Sequence, residues 1–109
     1  MSGDQGTPGL PNADVALSPR QRVAGTDLLA PFDTIEALLF AAAGRVPEDP
    51  LVSGYLAGAR VQGERLSKIG GAEAMRTVLD LVTKSEARAA HGRRRLLDAA
   101  WSGLPGWKP

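Results

Sequence analysis

Cysteine is absent from the 109 residues, histidine occurs once, and the aromatics are two Phe, two Trp and one Tyr. Without cysteine neither a disulfide framework nor a thiolate metal site can form. The lack fits a reducing compartment, so the expected setting is cytoplasmic. The N-terminus has no basic segment followed by an apolar one, so no signal peptide is expected. No apolar run approaches the roughly 18–20 residues that cross a bilayer; the longest, Ala37 to Ala43, reads as core helix, and no membrane partner is expected. Gly-x-Ser-x-Gly, P-loop and dinucleotide glycine patterns are all missing. Ser85 and Ser102 have no adjacent base, because His91 lies nearly two helical turns from Ser85 and points another way. These absences give the expectation of a non-enzyme with no catalytic residue, cofactor, metal or small-molecule substrate.

What is present favours helices. Apolar residues make up 43% of the chain, drawn largely from Ala, Leu and Val, and Ala and Leu are good helix formers. Residues 1–30 are rich in Gly and Pro without helical or strand period, and read as a disordered arm. Within it, Ser18-Pro19-Arg20-Gln21-Arg22 is read as solvated linker, with two arginines that could touch an acidic partner. Residues 31–109 read as one small all-α domain. At about 80 residues it sits near the lower limit for an adequate core, which favours self-association or folding against a partner.

Three helices are predicted. Asp33-x-x-Glu36 has the form of a capping box and predicts a first helix beginning after Asp33, with Ile35, Leu38, Leu39, Ala42 and Val46 inward and a stop at Gly44 and Pro47. Asp49-Pro50 predicts the next start. Val52, Tyr55, Leu56, Ala59, Leu66 and Ile69 form that helix's inner face, with Gln62-Gly63 a thin point. Gly54 and Gly58, spaced i, i+4, make a flat strip that another helix could approach, inside the domain or from a partner. Gly70-Gly71 then supplies the positive φ of a tight reversal into an αα-hairpin. From Met75, Val78, Leu79 and Val82 the apolar phase continues through Ala89, Leu96, Leu97, Ala100 and Leu104, giving a long C-terminal helix. Thr83-x-x-Glu86 and Gly92 predict a kink or break between them. The first helix is expected to pack across the hairpin.

The formal net charge of +1 hides an asymmetry. Residues 72–109 carry seven basic and four acidic side chains. Lys84, Arg88, His91 and Arg95 share one helical face, with Arg94 beside it. Arg93 points toward the apolar side, where its stem would cover apolar surface and Glu86 is one carboxylate in reach. Trp101 is expected in the core. Trp107, after Gly103-Leu104-Pro105-Gly106, either folds back over the helix end or serves as an anchor for a partner. The ending Leu97-Asp98-Ala-Ala-Trp101-Ser-Gly103-Leu104-Pro-Gly106-Trp107 resembles the tail of small uncharacterised actinobacterial and actinophage proteins. It departs from their pattern at Ser102, Leu104 and Pro105. The resemblance covers about a tenth of the chain and implies no activity, only an intracellular accessory role, including in phage or mobile elements.

Two functional classes follow. The first is a non-catalytic accessory or regulatory protein working through protein–protein contact or a homodimer, with Gly54, Gly58 and Trp107 as candidate interface residues. The second is a weak nucleic-acid binder using Lys84, Arg88, His91, Arg94 and Arg95, which could equally meet an acidic partner. One sign of charge along a helix is the footprint of such a binder, although a charged outer face is also what any solvated helix presents.

Overall fold

The computed structural model of the chain describes residues 17–108. Residues 1–16, most of the expected arm, lie outside the described residues. Among those described, four helices and two short 3-10 turns account for the regular structure, with no strand. The helices are α1 (Pro19–Val23), α2 (Leu29–Ala41), α3 (Ser53–Ser85) and α4 (Ala90–Trp101). No described helix is long and apolar enough to cross a membrane.

Residues 17–30 depart from the expectation of an arm. Ser18 caps α1: its hydroxyl accepts from the Gln21 N–H while the Gln21 side chain accepts from the Ser18 N–H, with Pro19 at the first helical position. This is the reciprocal capping box, satisfying two orphan donors. Val23 is buried, and Arg20 forks both oxygens of Asp33 at 3.0 and 3.1 Å. The acidic partner of Arg20 is therefore within the chain, while Arg22 enters no ion pair among the described residues. Asp33 is correspondingly not an N-cap. The helix containing it starts four residues earlier, at Leu29, because Pro31 falls in the first turn, where no N–H is needed.

On α2, Phe32, Ile35 and Leu39 are buried, as is Ala42 just past its end. Val46 is not: the helix stops at Ala41, Gly44 takes φ +79°, and Val46 is carried into an exposed loop. Asp49 then caps the 3-10 turn Pro50–Val52 by accepting from the Leu51 N–H at 2.9 Å, and α3 follows.

Within α3 the helical geometry fails at Gly70 and Gly71, and Gly71 has φ +66°. This left-handed value favours glycine over any side chain with a Cβ. The two arms, 53–69 and 72–85, fold back on each other as the predicted hairpin. Residues far from the vertex on both arms reach the same half of α2: Leu38 faces Gly58, and Glu36 accepts from Ser85. Ala59 and Leu66 of the first arm, with Val52 of the 3-10 turn before it, and Met75, Val78, Leu79 and Val82 of the second arm form the core with α2. Tyr55 and Ile69, expected on the inner face, are instead exposed, at 38% and 41%.

The long C-terminal helix breaks where expected, between Ser85 and Ala90, through the 3-10 turn Ala87–Ala89. The local cause differs. The Thr83 hydroxyl donates back to the carbonyls of Leu79 and Asp80, and that of Ser85 to Val82, so no capping box forms at Thr83. After the break α4 runs back along the hairpin, burying Leu96, Leu97, Ala100 and Trp101.

Candidate functional site

The C-terminal end of α4 is sealed. Trp101 is fully buried, and its indole N–H donates to the Ala59 carbonyl at 2.9 Å. Gly63 makes room for it: a Cβ there would lie 2.4 Å from Nε1. The thin point in the sequence is thus a close-packing position. Arg60 donates to the carbonyls of Ala100 and Ser102 at 3.1 and 2.6 Å, satisfying acceptors that a helix end leaves orphaned. Trp107 folds back and packs edge-on against Trp101, with ring centroids 4.9 Å apart, while the Arg76 guanidinium lies 5.3 Å from the Trp107 ring centre. Trp107 is buried, so as an anchor held out to a partner it is corrected. Gly58 is also turned inward: a Cβ there would stand 3.2 Å from Leu38. Only Gly54 of the three interface candidates is exposed, with nothing within 4 Å of its Cβ position. The glycine strip is split because the two positions fall on opposite sides of the line from the core to solvent.

At the other end of α4, Arg93 is buried and takes up three acceptors. It pairs with Glu36 of α2, and donates to the Val82 carbonyl at 2.9 Å and to Ser85 Oγ at 3.0 Å. Its partner is Glu36 rather than Glu86, because the break turns Glu86 out to solvent. This junction ties α2, the end of α3 and the start of α4 together. It also fixes where α4 begins relative to the end of α2.

Between those two helix ends lies a groove of about 550 Å³. Leu39, Ala43, Val46 and Leu96 line its trough, and Phe40 stands on its rim at 77% exposure. Arg45, Arg88, His91 and Arg95 border it, with Glu86 as the one acidic lining residue. The stripe of the sequence is therefore redistributed. All five side chains are exposed, but the break sends Lys84 to a separate concavity beside Arg22 and Asp80. Arg94 leans toward Asp98 at 3.8 Å, and Arg95 toward Glu48 at 3.8 Å. Arg88 and His91 enter no ion pair among the described residues.

Arg45 is fixed by Asp49 at 2.9 Å. The Asp49 carboxyl is held below the usual carboxylate range, first by the Leu51 N–H and then by Arg45. The Asp33 carboxylate raises the Arg20 guanidinium above its ordinary value, chiefly through their hydrogen bond. Among the described residues no cluster of three or more His, Asp or Glu comes together that could hold a metal.

Phe40 and Arg45 are the site residues that the sequence reading passed over. Phe40 hides inside the apolar run Ala37–Ala43. Its phase could have revealed it: at about 100° per residue it falls some 140° from Ile35, opposite the buried face. No protein-family profile matches the chain, and neither a curated protein nor a solved structure is detectably similar to it.

Proposed function

We propose that the chain is a small non-catalytic accessory or regulatory protein that binds another protein in the groove between α2 and α4. The observation supporting this is Phe40. Phe32 of the same helix is buried to 2% exposure, whereas Phe40 is held at 77% on a rigid element beside a largely apolar trough. Burying such a ring contributes about 1.5–3 kcal/mol, a gain the isolated chain forgoes and a bound partner recovers. Single exposed apolar residues are ordinary; Phe40 differs in being continuous with Val46 and the groove wall. Aromatic anchors flanked by Arg are also the usual centres of binding energy.

The test is co-purification from native cells with wild type and Phe40→Ser, each with and without nuclease, followed by binding measured with the recovered partner. A partner held by wild type, lost with Phe40→Ser and indifferent to nuclease supports the reading. Equal recovery by both chains sinks it. Nucleic-acid binding is the second reading, favoured by the exposure of Lys84, Arg88, His91, Arg94 and Arg95. It requires duplex affinity at low salt that falls with a log–log slope of about −0.9 per phosphate contact.

A further inference from the structure

We infer that the groove accepts an acidic amphipathic helix of the partner, its apolar face in the trough and its carboxylates against Arg88, His91 and Arg95. This rests on the docking reading above and adds to it the chemistry of the occupant. The first support is the imbalance of charge around an apolar floor. Among the described residues, four arginines and a histidine line the groove with Glu86 as the one acidic side chain of the lining. Three of those arginines are already engaged, Arg45 with Asp49, Arg93 with Glu36 and, at 3.8 Å, Arg95 with Glu48. Arg88 and His91 are unpaired among the described residues, and the carboxylate near Arg95 belongs to Glu48, itself 75% exposed. Arg88, His91 and Arg95 therefore sit together on the α4 side, while the trough beside them is hydrocarbon.

The second support is Gly92. It lies in the first turn of α4 and lines the groove, where a Cβ would meet nothing within 4 Å. Glycine costs a helix roughly 1 kcal/mol relative to alanine, and here no neighbour requires it. Its missing side chain leaves the floor of the groove open between Arg88 and Arg95. An amphipathic helix laid in a groove needs such an unobstructed strip for its anchors. The first turn of α4 has no side-chain cap and no acidic residue, so its backbone adds partial positive charge of the same sign.

The probes are three synthetic helical peptides with one common apolar face, flanked by Glu, Gln or Lys, titrated against the full chain by fluorescence anisotropy and NMR. The Glu peptide should bind, and the Gln peptide should bind about tenfold more weakly, as expected for a few partly exposed charge pairs. Lys flanks should abolish binding. Arg88→Gln with Arg95→Gln should erase the preference for Glu over Gln and leave the melting temperature in place. Gly92→Leu should fill the floor and remove binding of the Glu peptide while raising the melting temperature, because leucine is the better helix former. Equal affinity for the Glu and Gln peptides, both lost with Gly92→Leu, overturns the acidic occupant and leaves the docking groove standing. No binding of any peptide at millimolar concentration overturns the groove as well. A wild-type dimer that Gly92→Leu dissociates would make the occupant a second copy of this chain, and overturns the inference too.

Discussion

At its C-terminal end α4 drives Trp101 into the core, has its last carbonyls taken up by Arg60, and is covered by Trp107. At its N-terminal end the same helix has no side-chain cap, follows a broken turn, and opens onto a groove with Phe40 in water. One end is built for stability and the other is left incomplete. The residues most conspicuous in the sequence, the two tryptophans, belong to the closed end. The surface that the proposed docking would use comes instead from an ordinary phenylalanine and from arginines that the break in the helix redistributes.

The closed end should break most expensively. Trp101→Ala removes a fully buried indole and leaves the Ala59 carbonyl without it, at a cost of about 3–5 kcal/mol. Gly63→Ala attacks the same contact from the other side, since the new Cβ would overlap the indole. Overpacking of this kind costs about 3 kcal/mol, which thermal melts should record as a fall of roughly 15 °C. A Gly63→Ala protein that melts like wild type would mean that α4 can slide outward freely, and the contrast between its two ends would lose its basis.

The hinge between the two ends comes next. Arg93 is 8% exposed and Glu36 30%, so the two partners are not equivalent. Removing Glu36 strands a buried cation, whereas removing Arg93 leaves a carboxylate that water can reach. A fully buried pair broken from one side costs 3–5 kcal/mol; partial exposure of Glu36 brings the expectation for Glu36→Gln to about 2 kcal/mol. Arg93→Met should cost less. Chemical denaturation of both variants and of the double variant measures the asymmetry. If Arg93→Met is the worse of the two, the guanidinium's hydrogen bonds to the Val82 carbonyl and Ser85 Oγ matter more than its pairing with Glu36.

The hairpin and its vertex at Gly70-Gly71 were legible as local signals, an apolar period and paired glycines; the break after Ser85 falls in the expected stretch, although no capping box forms at Thr83 and Gly92 lies inside α4. Val46 and the start of α2 were misjudged for the same local reason. Asp33-x-x-Glu36 has the form of a capping box, but both carboxylates are engaged at a distance, by Arg20 and Arg93. Nothing nearby in the sequence announces either pairing. Lys84, Arg88, His91 and Arg95 form one stripe only on a continuous helical phase, and once the helix breaks, Lys84 and Arg88 line different concavities. Tertiary placement, not composition, decides which arginines are paired within the chain and which stay exposed.

Acid should test the loop that carries Arg45 to the groove. The Asp49 carboxyl is depressed in the folded chain, chiefly by the Leu51 N–H. Its contribution to stability is therefore complete above the unfolded value of about 3.9, and is lost as pH falls through the lower folded value. Asp49→Asn keeps a competent cap and removes the titration. The difference in melting temperature between wild type and Asp49→Asn should be constant near neutral pH and shrink below about pH 4. A difference that does not change with pH would show that Arg45 and its loop are held by something other than this carboxylate.

The smallest effect on stability is expected at the open end, and it bears most directly on function. Phe40 is 77% exposed, so Phe40→Ser gives up little buried area and a solvent-facing change of this kind stays within about 0.5 kcal/mol. The same change should remove partner binding. That dissociation separates a docking residue from a packing residue: at Trp101 binding and folding should fail together, whereas at Phe40 binding alone should fail. Thermal melts and partner affinity measured on one preparation decide it. If Phe40→Ser destabilises the chain by several kcal/mol, the ring is packed against something in solution, and the open end of α4 is already closed.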